Sequence, residues 1–144
     1  MIIPNLIVAD VARSMTFYRD LLGMTVSMSV DADKNYSPDG LLDGAIFAAL
    51  DWDGAQVMLQ TRDSIAAEMP EFETPHSGGP MGTIFFRGYD PASVADRVPS
   101  EFHVKGPETT WYGMNELTLR DPDGHIITLA MPAGELAMPA GEAE

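Results

Sequence analysis

Cysteine is absent from the 144 residues. That excludes disulfide staples, thiolate nucleophiles and zinc–thiolate centres, and it leaves the redox compartment unmarked. Basic residues are scarce: 8 Lys and Arg face 22 Asp and Glu, for a formal net charge of −14. A field of that sign repels phosphate backbones and anionic lipid, so no nucleic-acid or membrane partner is expected and cationic ligands are favoured; the same charge also serves plain solubility. Long apolar runs are missing too. The start, Met1 to Asp10, has no basic stretch and meets Pro4 early, which argues against a signal peptide or a membrane span and makes a cytoplasmic location the default. The 3 histidines, His76, His103 and His125, stand far apart and at no spacing that would preorganise a metal site.

What is present suffices for a core. With 45% hydrophobic residues in 144, the chain makes one ordinary domain or two small halves. Ile2 to Val8 reads as a short strand, and Val11, Met15, Tyr18 and Leu22 recur near helical spacing, with Asp10 as N-cap and Gly23 as C-cap. Met24 to Val30 alternates as a second strand, and 31–43 is a polar loop. Ala45 to Leu50 and Ala55 to Gln60 form a hairpin across Asp51-Trp52-Asp53-Gly54, and a short helical turn follows Arg62. The Pro- and Gly-rich stretch 70–81 predicts a linker between module one, 1–69, and module two, 82–132.

The second module repeats the order of the first. Gly82 to Gly88 is an apolar strand, Asp90-Pro91 opens a helix over 92–98, and Phe102 to Lys105, Trp111 to Arg120 and His125 to Met131 are strands. The turn Asp121-Pro122-Asp123-Gly124 joins the last two of them. Asp10 and Asp90 correspond, as do Asp53-Gly54 and Asp123-Gly124, which predicts an α+β protein of two β-α-β-β-β modules. The repeated Leu129 to Glu135 and Leu136 to Glu142 close the chain, and 133–144 is expected to be a flexible tail.

Val8-Ala9-Asp10, Ser14, Phe17-Tyr18, Leu21-Leu22-Gly23 and Leu119 to Gly124 resemble the signature of the vicinal oxygen chelate superfamily, which includes glyoxalases, extradiol dioxygenases and bleomycin-resistance proteins. The resemblance spans residues 2–132 as one domain. It implies strands curled into a mixed sheet around a central cleft, helices outside, and pairing into a homodimer. In its metal-binding members, His or Gln in each module's first strand and Glu in each last strand hold the ion. The matching positions here carry Ile3, Met58, Thr83 and Thr128. None is a good donor to a divalent ion, so neither a metal nor another cofactor is expected.

The period of two then says what lines the inner wall if those four positions face it. Asn5, Ile7, Gln56, Gln60, Phe85, Arg87, Ile126, Glu116 and Thr118 join Met58, Thr83 and Thr128 there, while Leu6, Val8, Val57, Leu59, Ile84, Phe86, Leu117, Leu119, Ile127 and Leu129 face the helices. An apolar surface with a few directed polar groups suits a small-molecule ligand. Trp111, before the penultimate strand, is placed to stack on a ring or to serve packing, and Arg87 and Glu116 either meet a ligand or pair with one another. Two functions follow. One is a binding protein, like the bleomycin-resistance members, that holds a cationic or aromatic compound without a metal. The other is a cofactor-independent lyase, isomerase or hydrolase with Glu116 as general base and Arg87 or Gln60 polarising an oxygen. A metal-dependent glyoxalase or dioxygenase comes third.

Overall fold

The computed structural model describes residues 1–134, so most of the tail read at 133–144, including the second copy of the terminal repeat, lies outside the described residues. The chain divides between Gly79 and Pro80 into two compact units, each with its own sheet. Among the described residues no helix is long and apolar enough to cross a membrane.

In the first unit, strand β1 (Asn5–Val8) leads into helix α1 (Val11–Met15), whose N-cap Asp10 accepts hydrogen bonds from the amides of Ala12 and Arg13. The helix continues through Thr16–Leu21 in wider turns, in which the Leu22 amide reaches back to the Phe17 carbonyl at 3.0 Å, and Gly23 ends it at φ 79°. So short a helix has little stability of its own. Burial supplies it: Val11, Met15, Phe17 and Tyr18 are fully enclosed, each contributing about 1.5–3 kcal/mol. Strands β2 (Thr25–Asp31), β3 (Tyr36–Ser37), β4 (Ala45–Trp52) and β5 (Ala55–Thr61) complete a sheet in the order β1-β5-β4-β2-β3. The small strand β3 lies inside the segment expected to be loop. The β4–β5 hairpin turns on two residues only, Asp53 and Gly54 at φ 49° and 80°, so Asp51 and Trp52 belong to the strand and not, as the sequence suggests, to the turn. Helix α2 (Arg62–Glu68), capped by the Thr61 hydroxyl, packs on β5 and β1, and a 3-10 turn at Pro70–Phe72 follows within the stretch read as linker.

The second unit holds β6 (Thr83–Arg87), β7 (His103–Thr109), β8 (Met114–Arg120) and β9 (Ile126–Pro132) in the order β6-β9-β8-β7, with β6 parallel to β9 and the rest antiparallel. The helix expected over 92–98 is instead a chain of 3-10 turns, Pro91–Ser93, Ala95–Arg97 and Ser100–Phe102. Two prolines explain this. Pro91 starts the first turn, and Pro99 holds Val98 in an extended conformation (φ −72°, ψ 118°), leaving too few residues to propagate an α-helix. The strand predicted from Trp111 begins only at Met114, because Thr110 to Gly113 form a turn closed by the Thr110 hydroxyl and carbonyl. Gly106 sits in a register shift of β7 at φ 91°, where a Cβ would lie 2.6 Å from the Glu116 carbonyl oxygen. Only glycine fits there.

Both sheets sort their residues by face as the two-residue period predicts. Val8, Val57 and Leu59 in one, and Phe86, Leu117, Leu119, Ile127 and Leu129 in the other, are 5% exposed or less. The opposite faces carry the polar positions.

Candidate functional site

On the polar face of the first sheet, register aligns Asn5 with Met58 and Met58 with Ala49, while Gln56 pairs with Asp51 and Gln60 with both Ile7 and Phe47. Asn5 Nδ2 donates to Gln60 Oε1 at 3.0 Å, and Gln60 Nε2 donates to Ser64 Oγ at 3.0 Å. Gln60 is buried and so ties β1 to α2 through its amide. Met58 is half-buried in the middle of this face.

In the second unit Thr83 and Thr128, which the resemblance aligns with metal-ligand positions, touch each other. Thr83 Oγ1 and Thr128 Oγ1 lie 3.2 Å apart, and Thr118 Oγ1 is 3.5 Å from Thr128. Three hydroxyls on three neighbouring strands thus share hydrogen bonds. Phe85, in register with Thr128, is 46% exposed. Arg87 and Glu116 fall in one row of the sheet but on strands separated by β9, with Ala130 between them. The direct ion pair left open by the sequence therefore gives way to another partner: the Tyr112 hydroxyl donates to Glu116 Oε2 at 2.5 Å. Glu108 stands directly opposite Glu116, an unfavourable like-charge pair that Lys105 offsets through its ion pair with Glu108 at 2.9 Å. Trp111 is 95% exposed and meets the Tyr112 ring edge-to-face at 5.3 Å.

Hydrogen bonds, with charge behind them, set the protons of this corner. The hydrogen bond to Glu116 raises Tyr112 above its ordinary 10.0, with burial and the carboxylate's charge adding to it. Lys105 is raised by its hydrogen bond to Glu108 and by the surrounding negative charge. A raised tyrosine favours the fold below the ordinary value, and that contribution is lost as pH climbs through the folded value. Glu116→Gln should therefore lower the alkaline titration of Tyr112, read as the tyrosinate absorbance that disappears in Tyr112→Phe.

Sequence reasoning put Asn5, Gln56, Met58 and Gln60 on one sheet, and the structure brings Asn5 and Gln60 into contact. It likewise joins Thr83, Thr118 and Thr128. It does not pair Arg87 with Glu116, which β9 separates, and it places Trp111 in the turn before β8. Asp51, Ser64, Tyr112 and Lys105 were missed as members of these faces. Asp51 had a signal, since a two-residue Asp-Gly turn fixes its pairing with Gln56; Ser64 and Tyr112 depend on a helix and a turn without a periodic mark, and Lys105 lies between two register shifts of β7.

The donor set does not fit a divalent ion at the four positions that the resemblance aligns with metal ligands. Ile3 offers no donor, Met58 a soft thioether, and Thr83 and Thr128 hydroxyls already engaged with each other. Among the described residues no group of three or more His, Asp or Glu could hold an ion.

Comparison with known proteins places this architecture. The model of the glyoxalase/bleomycin resistance protein/dioxygenase superfamily matches residues 3–129. Similar solved structures include a family enzyme from Burkholderia phytofirmans, 18% identical with TM-score 0.65, covering 90% of this chain and 96% of that one. A protein of unknown function from Agrobacterium tumefaciens is 21% identical with TM-score 0.67, covering 91% and 92%. TioX from Micromonospora is 16% identical with TM-score 0.64, covering 91% and 97%. At these identities the structures attest the fold alone. No curated protein matches the sequence. The family model spans most of both units, and the chain belongs to the glyoxalase/bleomycin resistance protein/dioxygenase superfamily.

Proposed function

We propose that this protein binds a small organic molecule, cationic or aromatic, and holds it by shape and hydrogen bonds without a divalent ion. One observation carries the proposal: all four positions at which metal-binding relatives place ligands are filled by Ile3, Met58, Thr83 and Thr128, and two of these satisfy one another at 3.2 Å. The polar faces support it. Each mixes amide, hydroxyl and charge with exposed or half-buried apolar side chains such as Met58 and Phe85, which is the composition of a ligand surface. The net charge of −14 favours cations over anions. A cytoplasmic homodimer, with neither nucleic acid nor membrane as partner, completes the proposal.

A second function has one specific observation in its favour. Glu116 is half-buried and hydrogen-bonded to Tyr112, an arrangement in which a carboxylate can take a proton from a substrate while the phenol holds it in place. The two are separated by one experiment. Thermal-shift screening of aromatic amines, neutral aromatics and small dicarbonyls is run with chromatographic recovery of each stabilising compound. A compound that stabilises and returns unchanged supports binding. Conversion that falls by orders of magnitude in Glu116→Gln supports the enzyme and overturns the first proposal.

A further inference from the structure

Among the described residues, two buried side-chain polar atoms have no hydrogen-bond partner: Asn5 Oδ1 and Asp51 Oδ1. Buried polar atoms are nearly always satisfied, so each exception asks for a cause. The two share one. Asn5 pairs with Met58 and Asp51 pairs with Gln56, and Gln56 and Met58, two apart on β5, point to the same side. Both orphans therefore stand on the polar face of the first sheet, away from the side that packs on α1. Met58 and Gln56 of β5 lie on the strand between them, Met58 beside Asn5 and Gln56 beside Asp51, and two inter-strand steps with a two-residue offset put the Cα atoms of Asn5 and Asp51 roughly 12 Å apart.

Both atoms are acceptors. Asn5 spends its Nδ2 on Gln60, whose own amide nitrogen is committed to Ser64, so the open end of that chain accepts only. Asp51 is a partly buried carboxylate for which no pairing cation is found among the described residues' ion pairs. The missing partners are donors in both cases, and at Asp51 a positive one is favoured.

We infer that the face of the five-stranded sheet carrying Asn5, Met58 and Asp51 is the binding surface for an organic ammonium that bears a second N–H donor, the ammonium at Asp51 and the second donor at Asn5. Met58, unbranched and soft, is the group that shifts to admit it. The inference rests on the small-molecule binding proposed above and narrows its ligand class. It also carries a stability consequence: Asp51 is kept for the ligand at the expense of the free protein, because an orphaned acceptor loses its hydration without return.

The test uses tryptamine, which has both an ammonium and an indole N–H, and indole-3-acetate, with the same ring and the opposite charge. The full chain is expected to melt higher in millimolar tryptamine and not in indole-3-acetate. Asp51→Leu should melt as high as the wild type or higher without ligand and lose the tryptamine shift. Asp51→Asn, which keeps the shape, should bind tryptamine about tenfold more weakly or worse. Absence of any tryptamine shift, an equal shift with indole-3-acetate, or a shift surviving both substitutions overturns the inference. So does a fall in the ligand-free melting temperature of both variants, which would make Asp51 a support of the fold. Neutral aromatics that stabilise wild type and variants alike would leave small-molecule binding standing and remove only the ammonium class.

Discussion

Replacing Thr83 by His and Thr128 by Glu together is expected to turn a protein indifferent to zinc and nickel into one that melts several degrees higher when either is added. The two hydroxyls already meet at 3.2 Å on neighbouring parallel strands, so longer side chains bearing imidazole and carboxylate converge on a common point above the sheet. Both groups are good donors to these ions. Without metal the variant pays for a carboxylate placed where only 7% of Thr128 is exposed, a loss of about 1–3 kcal/mol. With metal at about a hundred times its dissociation constant, roughly 2.7 kcal/mol returns. Denaturation with and without zinc reads both terms. A variant that folds and ignores the ion would show that residues 83 and 128 do not correspond to the family's ligand positions.

Leu129→Ala should cost about 2–5 kcal/mol in urea unfolding, the largest stability loss expected from a single truncation here. Leu129 is fully buried and pairs with Phe86 on one side and Leu117 on the other, all three on the apolar face. Removing three carbons from a wall between close-packed neighbours leaves a cavity that two strands cannot both close. Its neighbour Thr128 provides the contrast. It points to the other face, and Thr128→Val keeps the volume while deleting hydroxyl contacts to Thr83 and Thr118, for a change of about 1 kcal/mol. Equal losses at the two positions would mean that the faces are not divided as described.

The features readable from the sequence are those with a local cause. Asp10 and Gly23 bound a helix because capping and positive φ are properties of single residues, and Asp53-Gly54 sets a hairpin because few other pairs adopt that turn. The strand faces follow from alternation alone, as in Val57, Met58, Leu59 and Gln60. What escaped the sequence depends on partners distant in the chain or on short segments under competing constraints. The helix expected after Pro91 fails because Pro99 stops it, a constraint the apolar spacing does not register. The bond from Tyr112 to Glu116 exists because Thr110 folds the chain back before β8, and the one from Gln60 to Ser64 because α2 starts where β5 ends. Asp51 reads as a turn residue until the two-residue hairpin returns it to the sheet.

Elemental analysis of the purified full chain, paired with unfolding in the presence and absence of a chelator, tests the central claim most directly. The account predicts far less than one equivalent of zinc, nickel, iron or manganese and one melting temperature in both conditions. One tightly held equivalent of any of them, with a lower melting temperature after chelation, would contradict it.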